Sequence, residues 1–147
     1  MIEPAKPRVV FACNMNSIRS PMAAAIARAR LKGAIEADSC GLHPGYLDPS
    51  MVQVMADWGV DLSDHTPKTF EDLADRPIDV LVALTPEAFE RAQLQYQAPV
   101  SVEFWPVPDP TADAGSLDRV YAAYRDVQSY LETKIIDRFA PGSTKRD

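Results

Sequence analysis

Two side chains with complementary chemistry stand near the start of the chain, Cys13 and Arg19, with five residues between them. Val9-Val10-Phe11-Ala12 precedes the cysteine, and Ser20-Pro21 follows the arginine, leading into the alanine-rich stretch Ala23-Ala24-Ala25-Ile26-Ala27. A β-branched and aromatic run, a short polar segment and a helix-forming run read as strand, tight loop and helix start. A loop running into a helix N-terminus turns backbone N–H groups toward one point, with the helix dipole adding positive potential. Asn14, Met15, Asn16, Ser17 and Ile18 are the loop residues whose amides can do this. Arg19 at the loop's exit adds a two-pronged hydrogen-bond fork suited to phosphate oxygens. The same positive field favours a thiolate at Cys13, the form in which cysteine attacks. The expected chemistry is attack on phosphorus, giving a thiophosphate that water must cleave.

With ten arginines in 147 residues, an arginine at any given offset arises by chance about 7% of the time. The spacing therefore carries weight through its setting between a buried strand and a helix. The elements that must position it follow in alternation. Strand one is expected over Arg8–Ala12 and helix one over Pro21–Lys32, with Ser20 as its N-cap and Gly33 as its stop. Strand two is expected over Ala34–Ser39 and a second helix over Pro49–Trp58. A short helix follows over Lys68–Ala74, and strand three over Ile78–Leu84. The remaining elements are a helix over Pro86–Gln95, strand four over Val100–Trp105 and a last helix over Leu117–Phe139. Strands alternating with helices at these lengths imply an α/β sandwich with a parallel sheet and right-handed crossovers. Ligands in such folds bind beyond the carboxyl ends of the strands, where Cys13, Cys40 and Asp109 are expected.

At 147 residues the chain is the size of one domain. The reading is a single domain over 1–147 with flexible ends at 1–7 and 142–147. Net charge of −6 and the absence of a basic block argue against nucleic acid as a partner. No apolar run approaches the roughly 20 residues of a membrane span, and no leader pattern opens the chain. Two cysteines are too few for a disulfide framework or a thiolate zinc site. The expectation is a cytoplasmic protein without metal or cofactor, monomeric or weakly dimeric.

The chain resembles the low-molecular-weight protein-tyrosine phosphatases over nearly its whole length. Cys13 and Arg19 match that family's CX5R loop, Ser20-Pro21 the Ser-Pro after it, and Asn16 the loop asparagine. Asp38-Ser39-Cys40-Gly41 resembles the segment after the family's second strand, and Gly59-Val60-Asp61-Leu62-Ser63-Asp64-His65 its Gly-Ile-Asp-Leu-Ser-x-His segment. Val107-Pro108-Asp109-Pro110 resembles the late Asp-Pro loop. The resemblance implies a three-layer sandwich with helices on both faces of a four-stranded parallel sheet ordered 2-1-3-4. It makes Cys13 the nucleophile, Arg19 the phosphate clamp and Asp109 the acid, then base. Ser20 would hydrogen-bond the thiolate, and Asn16 would take a left-handed conformation tethered by Ser20, Ser39 and His65. The implied substrate is a phosphorylated protein or a small aryl phosphate.

Several positions depart from the family's pattern. Met15 stands where glycine is usual, which would be costly at an unusual φ. Ile18 replaces a second loop cysteine, so that rescue of an oxidised Cys13 would fall to Cys40. Thr111 replaces the tyrosine that commonly follows Asp-Pro, leaving Tyr46 as the candidate aromatic pocket wall. Two alternatives stand beside the phosphatase reading. Asn16-Ser17 leans toward arsenate reductases of the same fold, whose reaction needs two further downstream cysteines. Met15 motivates a catalytically weak phosphoprotein-binding or regulatory member.

Overall fold

Side-chain alternation along the first strand divides the core in two. In the computed structural model, which describes residues 6–73, 76–111 and 115–140, β1 spans Arg8–Cys13 and is buried at every position. Val9, Phe11 and Cys13 face one apolar cluster, and Val10 and Ala12 the other, as the two-residue period of a strand requires. A strand covered on both sides must be apolar nearly throughout. Of the ends expected to be flexible, 1–7 and 142–147, residues 1–5 and 142–147 lie outside the described residues, as does 141.

The other elements follow as α1 (Arg19–Arg30), β2 (Glu36–Gly41), α2 (Pro49–Asp57), β3 (Val80–Ala83), α3 (Pro86–Gln95), β4 (Ser101–Phe104) and α4 (Leu117–Phe139). The four strands form one sheet in the order β2-β1-β3-β4, and every pair is parallel. α1, α2 and α4 cover one face and α3 the other. The helices over Pro86–Gln95 and Leu117–Phe139 have the expected bounds. Among the described residues no helix is long and apolar enough to cross a membrane.

α1 is buried from Ser20 to Ala27. Its alanines pack against the sheet and α4 together, which short side chains permit by letting backbones approach closely. α4 answers with Tyr124, Leu131 and Ile135, each almost fully buried. Phe11 meets Trp105 edge to face at 6.1 Å, and Trp105 meets Phe139 at 6.0 Å. These rings join sheet, the chain after β4 and the end of α4 in one apolar body.

β1 runs on through Cys13, and α2, β3 and β4 end or begin one or two residues inside their expected bounds. Three further differences have physical reasons. α1 begins at Arg19, and Ile18 before it provides no side-chain cap. Ser20 therefore lies inside the helix, its hydroxyl turned to Asn16, Cys13 and the carbonyl of Cys40. Pro21 falls at the third helical position, still within the turn whose N–H groups lack helical acceptors. β2 lies two residues later than expected because its charges are matched from outside. Glu36 pairs with Arg76, and Asp38 with Arg8 at 3.4 Å and Lys68 at 2.7 Å. Lys68–Ala74 holds only a single 3-10 turn over Phe70–Asp72, with Ala74 itself outside the described residues.

The end of β2 presses on the Cys13–Arg19 loop. A Cβ built on Gly41 would stand 2.7 Å from the amide nitrogen of Asn16 and 2.9 Å from the carbonyl carbon of Met15. Both are main-chain atoms and cannot swing aside. Gly41→Ala should therefore lower stability by about 1–3 kcal/mol, as overpacking does. It should also weaken oxyanion binding at the loop. Urea unfolding and titration with inorganic phosphate check the two effects separately.

Candidate active site

The loop after β1 is held open by its own carbonyl groups. Leu42 N–H donates to Cys13 O (3.2 Å), His43 N–H to Asn14 O (2.9 Å), Gly45 N–H to Met15 O (3.0 Å) and Asp48 N–H to Ser17 O (3.3 Å). In a planar trans peptide the C=O and N–H point in opposite directions. The segment 42–48 draws these four carbonyls outward, so the amides of Asn14, Met15, Asn16 and Ile18 turn the other way. This is the convergent arrangement that holds a phosphate. The cavity there has a volume of about 180 Å³ and is lined by Cys13, Met15, Ser17, Ile18, Arg19, Asp109 and Thr111.

Asn16 anchors the loop from behind. Its φ of +54° is left-handed, a conformation costing most residues roughly 1–2 kcal/mol, though asparagine visits it more readily. The side chain is fully buried. Nδ2 donates to Ser20 Oγ (2.8 Å) and Ser39 Oγ (3.0 Å). Oδ1 accepts from Lys68 N–H (2.9 Å) and His65 Nε2 (3.0 Å). Four such bonds, at about 0.5–1.5 kcal/mol each, outweigh the backbone cost. Because Oδ1 can only accept, His65 presents an N–H at Nε2. Burial pushes the His65 pKa below its ordinary value, and the Lys68 and Arg28 charges push it the same way. The imidazole thus supports the loop as a donor, with its neutral form favoured.

Cys13, 2% exposed, places Sγ 2.9 Å from Ser20 Oγ. Ser20 has one hydroxyl hydrogen and two acceptors for it, Cys13 Sγ and the Cys40 carbonyl at 3.2 Å. With a neutral thiol the S–H can donate to Oγ while the hydroxyl donates to the carbonyl. With a thiolate the hydroxyl turns to sulfur. The serine can therefore follow the charge on Cys13 without moving.

Arg19 Nη1 donates to the carbonyl of Val107 at 2.8 Å, so the guanidinium that lines the cavity also ties down the segment leading to Asp109. Asp109 Oδ1 accepts from the amide (2.9 Å) and hydroxyl (2.7 Å) of Thr111. Partial burial pushes the Asp109 pKa up, but these two bonds and the Arg19 charge outweigh it, leaving the carboxyl below its ordinary range.

The remaining expected residues are placed as follows. Met15 lines the cavity and is 43% exposed. Asn16 is the non-glycine residue with positive φ among those described, so Met15 carries no left-handed strain. Its side chain lies over Gly45, where an added Cβ would come within 2.9 Å of Met15 Cβ. Ile18 packs against the core as well as lining the cavity. Asn14 turns from the cavity to accept from Thr85 Oγ1 at 2.7 Å, and Thr85 also caps α3 through Ala88 N–H. Tyr46 is 94% exposed and does not line the cavity. Cys40 lies within β2, fully buried in the cluster on the opposite sheet face from Cys13. Burial pushes its thiol well above the ordinary range. Two cysteines whose Cβ vectors point apart cannot bridge without backbone movement, so Cys40 is not placed to rescue an oxidised Cys13.

Sequence reasoning missed Asp48, Lys68 and the two close-approach glycines. Asp48 Oδ1 caps α2 through Met51 N–H (3.0 Å), and Oδ2 accepts from Tyr124 O–H (3.0 Å). One residue thus links the loop, α2 and α4. Asp-Pro ahead of an apolar-periodic run is a helix-start signal that could have singled it out. No local signal marks Lys68, whose amide matters only because the fold brings it to Asn16.

Comparison with known proteins agrees with this geometry. The chain is 42% identical over 86 residues to the low molecular weight protein-tyrosine-phosphatase of Streptomyces coelicolor, covering 52% of each. It is 32% identical over 100 residues to the glutaredoxin arsenate reductase of Synechocystis, covering 60% of this chain and 76% of that protein. Among solved structures, an arsenate reductase in its oxidised state superposes with a TM-score of 0.71 at 26% identity, covering 88% of this chain and 97% of the other. The family model for low molecular weight phosphotyrosine protein phosphatases matches residues 8–140, and the chain belongs to that family.

Proposed function

We propose that the chain hydrolyses phosphomonoesters through a covalent phosphocysteine, with phosphotyrosine in proteins and small aryl phosphates as its substrates. The observation that carries this reading is one cavity lined by Cys13, Arg19 and Asp109, with Ser20 Oγ 2.9 Å from Cys13 Sγ. The loop amides and Arg19 hold the phosphate's non-bridging oxygens. Cys13 Sγ attacks phosphorus in line, the S–P bond forms, and the bond to the leaving oxygen breaks with its electron pair. Asp109 gives that oxygen a proton. In the second step the Asp109 carboxylate takes a proton from water, whose oxygen attacks phosphorus. The S–P pair returns to sulfur, where the Ser20 hydroxyl receives it as a hydrogen-bond donor. Met15 and Ile18 supply the apolar contact for an aryl ring at the cavity. Met15 has no positive φ, so the binding-only alternative loses the backbone strain that would motivate it.

Arsenate reduction is a second reading, favoured by the names of several relatives. Arsenate and phosphate share shape and charge, so the same loop would hold either. Reduction of arsenic(V) to arsenic(III) takes two electrons from two thiols. The chain has two cysteines, and Cys40 faces away from Cys13. The second thiol would have to come from outside, as glutathione or a reduced redox protein.

Wild-type protein should hydrolyse p-nitrophenyl phosphate without added metal. Cys13→Ser should abolish turnover, and Arg19→Ala should reduce it by at least about 10²-fold, the scale of losing one transition-state donor. Thermal melts close to wild type would show that both variants are folded. Folded wild type with no turnover would sink the proposal. Asp109→Asn should slow phosphoenzyme formation by about 10²–10⁴-fold for poor leaving groups and much less for p-nitrophenol. An equal loss across a series of phenols would remove Asp109 from the acid role. Arsenate supplied with thioredoxin, or with glutaredoxin and glutathione, should be reduced far more slowly than the aryl ester is cleaved. The reverse order of rates would make the reductase reading the better one.

A further inference from the structure

Asp109 is held in an unsymmetrical way. Both donors from Thr111, the amide at 2.9 Å and the hydroxyl at 2.7 Å, reach Oδ1, and no described residue donates to Oδ2. Thr111 lines the cavity beside Asp109, so the pair sits where a leaving group would depart. Other titratable or charged groups also face Asp109. Arg19 attracts its charge, and Cys13 shares the cavity. From α4 come Tyr124, which is hydrogen-bonded to Asp48 and senses the Asp109 charge, and Asp126 and Tyr130. Among the described residues Thr111 is the one hydrogen-bonded to the carboxylate, and it can be altered without touching the phosphate clamp.

We propose that Thr111 is a positioning residue for Asp109, engaging Oδ1 and leaving Oδ2 to exchange the proton with the leaving oxygen and with water. The inference rests on the acid–base role of Asp109 proposed above. A hydroxyl donating to a carboxylate favours its ionised form. The ionised form is the base that the second step needs, and the protonated form is the acid that the first step needs. Thr111 thereby favours thiophosphate hydrolysis at the expense of leaving-group protonation. The substrates best served are those whose leaving group departs with little help, aryl phosphates over alkyl phosphates.

The test compares wild type, Thr111→Val and Thr111→Ser on p-nitrophenyl phosphate and phenyl phosphate across pH. Valine keeps the amide that holds Oδ1 and removes the hydroxyl. Phosphoenzyme formation from phenyl phosphate should fall as pH rises through the titration of Asp109. In Thr111→Val that falling limb should lie about half to one pH unit higher, a gain of roughly three- to tenfold at a fixed pH on the limb. Thr111→Ser should restore the wild-type limb, and p-nitrophenyl phosphate should respond less. A ¹³C NMR titration of the Asp109 carboxyl should show the same displacement without reference to activity. Coincident limbs in wild type and Thr111→Val, or a serine variant that behaves like valine, would overturn the inference while leaving the acid role intact. Undiminished phenyl phosphate turnover in Asp109→Asn would overturn the acid role, and this inference with it.

Discussion

The buried side chain of Asn16 is the interaction on which the site depends. It is the centre of a network drawn from four separate places: Ser20 in α1, Ser39 in β2, His65 in the irregular segment after α2, and the Lys68 amide. Each donor or acceptor of the amide has one partner, so the left-handed turn at Asn16 is held by more free energy than it costs. The consequence reaches the front of the loop. With Asn16 fixed, the outward carbonyls can be taken by the segment 42–48, and the amides on the other side are left to face an anion. Cys13, the proposed nucleophile, reaches this place as the residue at which β1 ends.

Charge is arranged locally in a chain whose overall balance is against an anionic ligand. With a net charge of −6, the overall field would not draw in a phosphate, and the binding proposed here would come from short-range donors. Arg19 serves both the cavity and the segment carrying Asp109, since one arm of its guanidinium is bound to Val107 O. The proposed clamp for the phosphate is thus also tied to the segment of the proposed acid. A lysine, with a point charge in place of a planar fork, could not hold both at fixed angles. Acidic groups near the site are answered individually. Asp48 serves a helix cap and a tyrosine, and Asp38 serves Arg8 and Lys68.

Membership of a phosphatase family whose relatives include arsenate reductases places weight on the second thiol. Phosphoryl transfer needs one cysteine, and oxyanion reduction needs two electrons from two sulfurs. Here the sheet keeps the two thiols apart. Neighbouring residues along a strand point to opposite faces. The register pairs Ala12 with Cys40 and Cys13 with Gly41, so Cys40 shares a face with Ala12. Proximity along the sheet edge does not make the two cysteines partners. The phosphoryl chemistry proposed for Cys13 calls on Ser20 and Arg19, both on α1, and on Asp109 from across the sheet edge.

Much of this was legible from the residues themselves. Strand, loop and helix around Cys13 and Arg19 follow from local pattern, because apolar runs, small polar residues and alanines state their preferences within a few positions. The same holds for α3 and α4, expected and found over Pro86–Gln95 and Leu117–Phe139. The carboxyl-edge location of Asp109 follows from parallel topology. The tertiary structure alone decided what is held by groups distant along the chain. Ser20 looks like a helix cap in sequence but spends its hydroxyl on Cys13 and Cys40 O. β2 lies later than its acidic residues suggest, because Arg8, Lys68 and Arg76 neutralise them from elsewhere. Met15 is tolerated because the left-handed turn falls on Asn16, and Gly41 and Gly45 supply the room for loop and side chain. Sequence determined that a thiol and a guanidinium flank one loop. The fold determined which way that loop's amides face, since a peptide's orientation is set by the partner its carbonyl finds.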